Sequence, residues 1–367
     1  MSDHPGLAGN PGQWPKAVFY VAILFSAYQI IGAAFHPFSS QVLRAGHVGF
    51  VLLMVYLCFP MRGQGRPWMP LAWVLGLAGL GTAIYQWYFE AELVQRSGDL
   101  TTSDMVVGVT LLVLVFEAAR RVMGLALPII CGCFLAYGLF GEHLPGDLAH
   151  RGYDLDQIIN QLSFGTEGFY GTPTYVSGTY IFLFILFGAF LEQAGMIRLF
   201  TDFAMGMFGH KTGGPAKVSV VTSALMGTIT GSGVANVVTT GQFTIPLMKR
   251  FGYKGTFAAA VEASASMGSQ IMPPIMGAVA FIMAETINVP YVEIAKAALI
   301  PALLWFGSIF WTVHLEAQRL KLTGLPKEEC PDPFAAIKQR WYLLIPLGVL
   351  VYLLFAGPTE FLLRDVV

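Results

Sequence analysis

The chain has 367 residues, of which 55% are hydrophobic and 12% are charged, and its mean hydropathy is +0.62. Soluble domains carry roughly 25% charged residues. Half that fraction, together with long apolar runs, predicts an all-α polytopic membrane protein in a lipid bilayer. The formal net charge of −1 provides no basic surface and argues against a nucleic-acid partner.

Apolar runs that approach the roughly 20 residues needed to cross a bilayer recur along the whole chain. In chain order, the predicted spans are residues 17–35, 46–60, 68–89, 104–119, 124–141, 171–195, 291–313 and 341–357. The first four predict a four-helix block. The polar stretch 142–170 contains a short amphipathic piece that we expect at the membrane interface.

Charges between the spans predict the topology, because cytoplasmic loops carry an excess of Lys and Arg. A cytoplasmic N-terminus places basic clusters inside and acidic loops outside, as follows: Arg62, Arg66, Arg120 and Arg121 inside, residues 90–99 and 142–170 outside. Arg44 alone is a positive charge in a loop that this orientation places outside. Glu117 and Arg121 are four residues apart, so we expect them to pair on one helix face.

The segment of about 213–250 predicts a re-entrant helical hairpin. Basic residues stand on both sides of it, namely Lys211 and Lys217 before and Lys249, Arg250 and Lys254 after. A single crossing would leave a positive cluster on each membrane face, whereas a segment that dips in and returns keeps both clusters cytoplasmic. The alternative is one helix whose small residues allow close packing.

The centre of this segment has the composition of a tight turn between two half-helices. It reads Gly227-Thr-Ile-Thr-Gly231-Ser232-Gly233-Val-Ala-Asn236. Glycine permits turn conformations, and Ser, Thr and Asn satisfy exposed backbone donors. The carbonyl end of the first half-helix suits a cation and the amide end of the second suits an anion.

The next segment, about 255–287, predicts a broken helix. Pro273-Pro274 cannot continue a regular helical ladder, and Gly268-Ser269-Gln270 lies one turn earlier. We expect an unwound segment whose free carbonyls between Gly268 and Met272 coordinate an ion. The alternative is a simple proline kink.

Glu262 is a candidate coupling carboxylate, because ionisable residues within spans are functional by default. Its distance of about two turns from Lys254 also fits a position near the interface and a paired structural role, and both readings stay open. No cluster of His, Cys, Asp or Glu has transition-metal spacing, and no catalytic constellation is visible, so we expect neither an enzyme nor a cofactor.

Two motifs carry a family resemblance. They are GTITGSGVANVVTTGQFTIPLMKRFGY and AAAVEASASMGSQIMPPIMGAVAFIMAE, in a block joined to the four-span block through Arg120-Arg121-Val-Met-Gly. The chain resembles, over nearly its whole length, the fused membrane component of tripartite ATP-independent periplasmic (TRAP) transporters. Within them it resembles the four-span/twelve-span fusions that work with a TAXI-type periplasmic substrate-binding protein.

The resemblance implies a scaffold domain at 1–119 and the N-terminal part of an inverted-repeat, elevator-type transport domain at 120–367. It implies uptake of a small organic anion of the carboxylate class across the bacterial inner membrane, driven by a Na⁺ or H⁺ gradient. Carried onto this chain, the family's ion sites nominate the following residues: Gly231, Ser232, Gly233, Asn236, Gly268, Ser269, Gln270 and Met272.

The chain departs from the family pattern in one respect. It contains one hairpin and one broken helix where the family has two of each, then two further spans, and it ends at Val367. We therefore expect the remaining C-terminal repeat elsewhere in the same gene or in a separate chain. Two other classes stay open: a dicarboxylate/sodium symporter, which leaves the four-span block unexplained, and an intramembrane enzyme or non-transporting scaffold.

Overall fold

A computed structural model describes residues 16–59 and 69–356, and this part of the chain is helical without a strand. Its helices, in chain order, are α1 (Lys16–Phe35), α2 (Ser40–Cys58), α3 (Met69–Tyr88), α4 (Glu90–Gln95), α5 (Thr102–Met123), α6 (Ala126–Phe140), α7 (Leu155–Ile159), α8 (Thr172–Val176), α9 (Phe182–Gln193), α10 (Met196–Phe208), α11 (Gly214–Thr230), α12 (Gly233–Arg250), α13 (Gly255–Met267), α14 (Ala278–Ile287), α15 (Tyr291–Arg319), α16 (Pro333–Arg340) and α17 (Leu344–Ala356).

Six helical stretches among the described residues are long and apolar enough to cross a membrane. They are Lys16–Phe35, Ser40–Cys58, Ala126–His143, Thr172–Gln193, Tyr291–Arg319 and Lys327–Phe355. Their outer surfaces are apolar too, since α6 buries none of its residues and Phe134 on it is 71% exposed. Soluble proteins rarely expose such continuous apolar area, so the predicted polytopic all-α fold class is confirmed.

The chain divides by compactness into two units, Met1–Thr179 and Tyr180–Val367. This grouping places α6 and α7 with the N-terminal helices. The scaffold and transport blocks at 1–119 and 120–367 are defined by family resemblance rather than by compactness, and their boundary stays a prediction.

The N-terminal unit has a core formed by α2, α3 and α5, in which the Tyr56 hydroxyl donates to the Leu114 carbonyl oxygen at 2.7 Å. The predicted pair on α5 is confirmed, because Arg121 Nε donates to Glu117 Oε1 at 2.8 Å. Arg44, with its contrary sign, donates from Nη1 to the Tyr170 carbonyl oxygen at 2.7 Å.

Some predicted features form helices, and others fall outside the described residues. The short amphipathic piece forms α7 followed by a π-helical turn at Asn160–Phe164, and its position at the membrane interface stays a prediction. Arg62, Arg66 and the chain end 357–367 lie outside the described residues. Helices α10 and α16 were not predicted, since both are shorter than a span and mixed in polarity. They pack together, with Arg340 Nη1 donating to Asp202 Oδ2 at 2.9 Å.

In the C-terminal unit, α11 and α12 form an antiparallel helical hairpin. The chain reverses at Gly231, whose φ of +58° is left-handed, and Ser232 caps α12 by accepting from Ala235 N at 3.3 Å. Helices of 17 and 18 residues are about 26 Å long at 1.5 Å per residue. Each is shorter than the roughly 30 Å hydrocarbon core. Because the chain reverses between two separate helices, the single-helix alternative is wrong.

The broken helix is also present. Helix α13 ends at Met267, a 3₁₀ turn covers Gly268–Gln270, and α14 begins only at Ala278. We call residues 268–277 the break. Its Pro273-Pro274 peptide bond is cis. Because ten residues separate the two helices, the proline-kink alternative is wrong.

Labelling tests the predicted topology of the hairpin. In a chain whose native cysteines are replaced, Lys211→Cys and Lys249→Cys introduce exposed thiols at the two outer ends of α11 and α12. Both should react with a membrane-impermeant maleimide from the cytoplasmic face, whereas Asp147→Cys should react from the opposite face. Labelling of Lys211→Cys and Lys249→Cys from different faces would contradict a re-entrant hairpin.

A glycine substitution tests the turn. Gly231→Ala places a side chain at positive φ, which costs roughly 1–2 kcal/mol, and the added Cβ would overlap the Met276 carbonyl oxygen. We expect a Tm several degrees below that of the native chain. Gly307→Ala on α15 is the matched control, because nothing lies within 4 Å of its added Cβ. Equal Tm values for the two variants would show that the turn tolerates Cβ.

Candidate functional site

The candidate site lies in the C-terminal unit, where the hairpin meets the break. We call Gly231, Ser232 and Gly233 the tip. A Cβ on Gly233 would lie 3.1 Å from the Ser266 carbonyl oxygen, and one on Gly277 would lie 3.2 Å from the Gly231 carbonyl oxygen. Backbone therefore touches backbone here, which requires residues without bulky side chains.

Asn236 joins the tip to the break. Its side chain is fully buried, and its Nδ2 donates to the Ser223 carbonyl oxygen on α11 at 2.8 Å and to Ser269 Oγ at 2.5 Å. One amide thus ties both arms of the hairpin to the 3₁₀ turn. A buried amide held in two directions fixes where its remaining oxygen, Oδ1, points.

The two helix ends at the tip present opposite partial charges. Helix α11 ends there with carbonyl groups that have no partner farther along the helix, and α12 begins there with backbone amides. The first end favours a cation and the second an anion. Asn236 Oδ1 and the Ser232 hydroxyl add uncharged oxygens, which are ligands that hard cations such as Na⁺ accept.

The break is more ordered than the sequence predicts. Four of the five carbonyls from Gly268 to Met272 are hydrogen-bonded within it: Gly268 accepts from Ile271 at 3.2 Å, Ser269 from Met272 at 3.4 Å, Gln270 from Gly277 at 2.8 Å and Met272 from Met276 at 3.3 Å. The expectation of free carbonyls was therefore wrong for these four residues. A carbonyl oxygen has two lone pairs, so each of these groups keeps one for a ligand.

The nominated residues do not all contribute in the same way. Asn236 links the tip to Ser269, since its backbone amide donates to the Ser232 carbonyl oxygen at 2.9 Å and its Nδ2 donates to Ser269 Oγ. The Gln270 side chain is exposed, and the Met272 side chain packs against an apolar cluster between α13 and α15. Both residues contribute backbone carbonyls that accept hydrogen bonds within the break.

Beneath the tip, Glu262 on α13 is fully buried in a cage of hydroxyl groups. Oε2 accepts from Ser219 Oγ at 2.6 Å and from Thr244 Oγ1 at 2.5 Å. Oε1 accepts from Ser223 Oγ at 3.2 Å, from Ser266 Oγ at 3.1 Å and from Thr240 Oγ1 through a short contact. The five residues, which we call the hydroxyl cage, come from α11, α12 and α13.

Glu262 has no cationic partner among the described residues, since no Lys, Arg or His nitrogen lies within 4 Å of its carboxylate. Its side chain is fully buried among protein atoms, and its position near the membrane interface stays a prediction. An isolated buried carboxylate costs several kcal/mol. Here, hydrogen bonds to a charged group, each worth roughly 1.5–3 kcal/mol, offset that cost.

Sequence reasoning singled out Glu262 and missed most of the cage. The missed signal is a spacing of four residues in three helices: Ser219 and Ser223, Thr240 and Thr244, Glu262 and Ser266. Residues four apart share one helix face. Each pair is common by itself, and only the packing of the three helices brings the three faces together.

Residues 110–363, more than half of the chain, match the family model described as "Tripartite ATP-independent periplasmic transporter, DctM component". The chain is also similar to the C4-dicarboxylate TRAP transporter large permease protein DctM of Pseudomonas aeruginosa, with 28% identity over 180 residues, which are 48% of this chain and 42% of that protein. The sialic acid TRAP transporter large permease protein SiaM of Vibrio cholerae is 25% identical over 180 residues, 48% of this chain and 42% of that protein.

A third relative, the 2,3-diketo-L-gulonate TRAP transporter large permease protein YiaN of Escherichia coli, is 24% identical over 168 residues, 46% of this chain and 39% of that protein. The match therefore spans about two fifths of the length of these relatives. All three are transporter permeases rather than enzymes. Since the family model covers the hairpin, the break and the hydroxyl cage, this multi-pass membrane protein belongs to the tripartite ATP-independent periplasmic transporter family, as a match to its DctM component.

Proposed function

We propose that this chain forms the membrane permease of a binding-protein-dependent secondary transporter that imports a small organic anion of the carboxylate class. The observation that carries the proposal is the direct contact of the hairpin tip with the break, bridged by the buried Asn236 amide. Helix ends that meet at membrane depth are the general device by which secondary transporters hold an ion and its co-transported anion.

The similar proteins support the class of cargo. The names of three relatives specify C4-dicarboxylate, sialic acid and 2,3-diketo-L-gulonate, which are all organic acids. An anion of this kind suits the amide end of α12, and a coupling cation suits the carbonyl end of α11. The nominated ligands are the tip residues with Asn236, Gly268 and Ser269, and the backbone of Gln270 and Met272.

The proposal extends to the coupling ion, the partners and the location. A Na⁺ or H⁺ gradient drives uptake, with Glu262 as the candidate coupling carboxylate, and a TAXI-type periplasmic protein delivers the cargo. A second inverted repeat, in the same polypeptide or a separate chain, supplies the other half of the site. The protein lies in the bacterial inner membrane with its N-terminus in the cytoplasm.

Uptake into proteoliposomes tests the driving force. The complete permease, with both repeats, should import a labelled carboxylate only when its periplasmic binding protein is present and a Na⁺ or H⁺ gradient is imposed. An ionophore that collapses the relevant gradient should stop uptake, because no other energy source is present. Undiminished uptake after both gradients are collapsed would overturn the proposed coupling.

Two serine variants, one in the site and one outside it, test the site itself. Ser269→Ala removes the hydroxyl that accepts from Asn236 Nδ2, and we expect initial uptake to fall at least fivefold, roughly the factor that one net hydrogen bond contributes. Ser308→Ala on α15 is the matched control, because its exposed hydroxyl donates only to Trp305 O in the same helix. Equal uptake by the two variants would remove Ser269 from the site.

A further inference from the structure

We propose that Glu262 exchanges a proton and that Thr240 transmits its protonation state to Asn236, and through Asn236 to the tip and the break. This inference deepens the proposed function and rests on it, since it names how one ion acts on that site. The geometry of the hydroxyl cage carries it. Neither the sequence motifs nor the relatives assign a role to Thr240.

The cage satisfies an ionised carboxylate completely. Such a group offers about four lone-pair sites and no donor, and five hydroxyls lie within hydrogen-bond distance of it. The fifth hydroxyl, that of Ser223, has a second partner, because Ser223 Oγ also lies 3.4 Å from Thr240 Oγ1. Every lone pair of the anion can therefore be occupied without a cation.

The same cage also accommodates the neutral acid. A hydroxyl group has one proton, and each threonine of the cage has a second acceptor one helical turn back. Thr240 Oγ1 lies 2.7 Å from the Asn236 carbonyl oxygen, and Thr244 Oγ1 lies 3.0 Å from the Thr240 carbonyl oxygen. When Glu262 gains a proton from water, its O–H donates to one threonine, whose own proton turns to that carbonyl.

Both protonation states thus keep their hydrogen bonds without movement of a heavy atom. A purely structural carboxylate needs only the ionised arrangement. A group that gains and loses a proton in a dry environment needs both, because an unsatisfied buried donor or acceptor costs roughly 1–3 kcal/mol. The carbonyl oxygens behind Thr240 and Thr244 supply the second arrangement, and only at these two threonines does it lie against a buried carboxylate among the described residues.

Thr240 is the member of the cage that reaches the candidate site. Besides Glu262 and the Asn236 carbonyl oxygen, its hydroxyl lies 3.2 Å from Asn236 Oδ1. Ionised Glu262 draws the Thr240 proton toward Oε1, and a proton on Oε1, the oxygen that faces Thr240, turns it back toward the carbonyl oxygen and Oδ1 of Asn236. The oxygen that Asn236 can offer to a ligand at the tip therefore depends on a carboxyl group that does not touch the tip.

Among the described residues, no other charged group takes the place of the hydroxyl cage as the partner of Glu262. The charged or titratable groups on the segments packed around Glu262 are Lys217 of α11, Lys249 and Arg250 of α12, Lys254 at the start of α13, and Tyr291, Glu293, Lys296, His314, Glu316 and Arg319 of α15. Several of them pair with one another, as Lys217 Nζ lies 3.1 Å from His314 Nδ1 and Arg319 pairs with Glu316. None forms an ion pair with Glu262.

The test uses the full chain in lipid nanodiscs and does not require transport. Infrared difference spectroscopy during a pH titration should show the C=O band of a neutral carboxylic acid that is absent from Glu262→Gln. Glu262→Asp, which keeps the acid and shortens its reach to the hydroxyls, should keep the band with a shifted midpoint. A band unchanged in both folded variants, or no such band in the native chain, would overturn the proton exchange.

Hydrogen–deuterium exchange of residues 228–236 and 266–277, corrected for its intrinsic pH dependence, tests the transmission. In the native chain, protection should change roughly fivefold across the infrared midpoint, the factor expected for one net hydrogen bond. Thr240→Val should keep the infrared titration and lose this change, whereas Thr240→Ser should keep both. Thr312→Val on α15 is the matched control, since its exposed hydroxyl donates to the Ser308 carbonyl oxygen in the same helix and touches neither Asn236 nor Glu262.

A pH response that persists in Thr240→Val, or that disappears in Thr312→Val, would overturn the transmission step. The outcomes also separate this inference from the proposed function. An intact titration with no uptake by the complete permease would count against the function alone. Gradient-driven uptake by a permease whose Glu262 never titrates would count against the inference alone.

Discussion

A helix that ends inside a bilayer leaves backbone amides and carbonyls without water, and each unsatisfied group costs several kcal/mol. The C-terminal unit meets this constraint by placing two interruptions against each other. The tip and the break touch through glycine backbone, the break bonds its own carbonyls, and Asn236 spans the remaining gap. The glycine backbone contact and the Asn236 amide hold the two interruptions together.

The hydroxyl cage is the second consequence of that arrangement. Once α11, α12 and α13 pack closely through small residues, a carboxylate between them can be solvated by serine and threonine rather than by a cation. A lysine or arginine partner would fix Glu262 in the ionised form and hold it in one geometry. Hydroxyls donate and accept, so they leave the charge of Glu262 free to change while the packing stays the same.

Much of this unit could be predicted from the sequence. The hairpin followed from where the lysines stand, the turn from Gly231 and Ser232, and the broken helix from Pro273-Pro274. What could not be predicted is how polar groups choose partners across helices. The carbonyls from Gly268 to Met272 looked free because their donors, such as the Gly277 amide, are brought back by the fold of the break.

Glu262 is a second example of a contact between helices that the sequence does not predict. Its position in the sequence, two turns from Lys254, left a coupling role and a paired structural role both open. Its burial depends on faces of α11 and α12 that the pattern of a single helix does not reveal. Short helices were missed for a related reason. The 13 residues of α10 and the 8 of α16 cannot span a membrane, and their stability comes from packing on each other rather than from a continuous apolar run.

The tip and the cage are therefore one system rather than two neighbouring sites. Asn236 belongs to both, through Nδ2 toward Ser269 and through its oxygens toward Thr240. Residues that share a hydrogen-bond network respond to substitution non-additively, by roughly 0.5–3 kcal/mol. A change at Asn236 must alter the hydrogen bonding of Glu262, and a change at Glu262 must alter what Asn236 presents to a ligand, even though no atom of Glu262 reaches the tip.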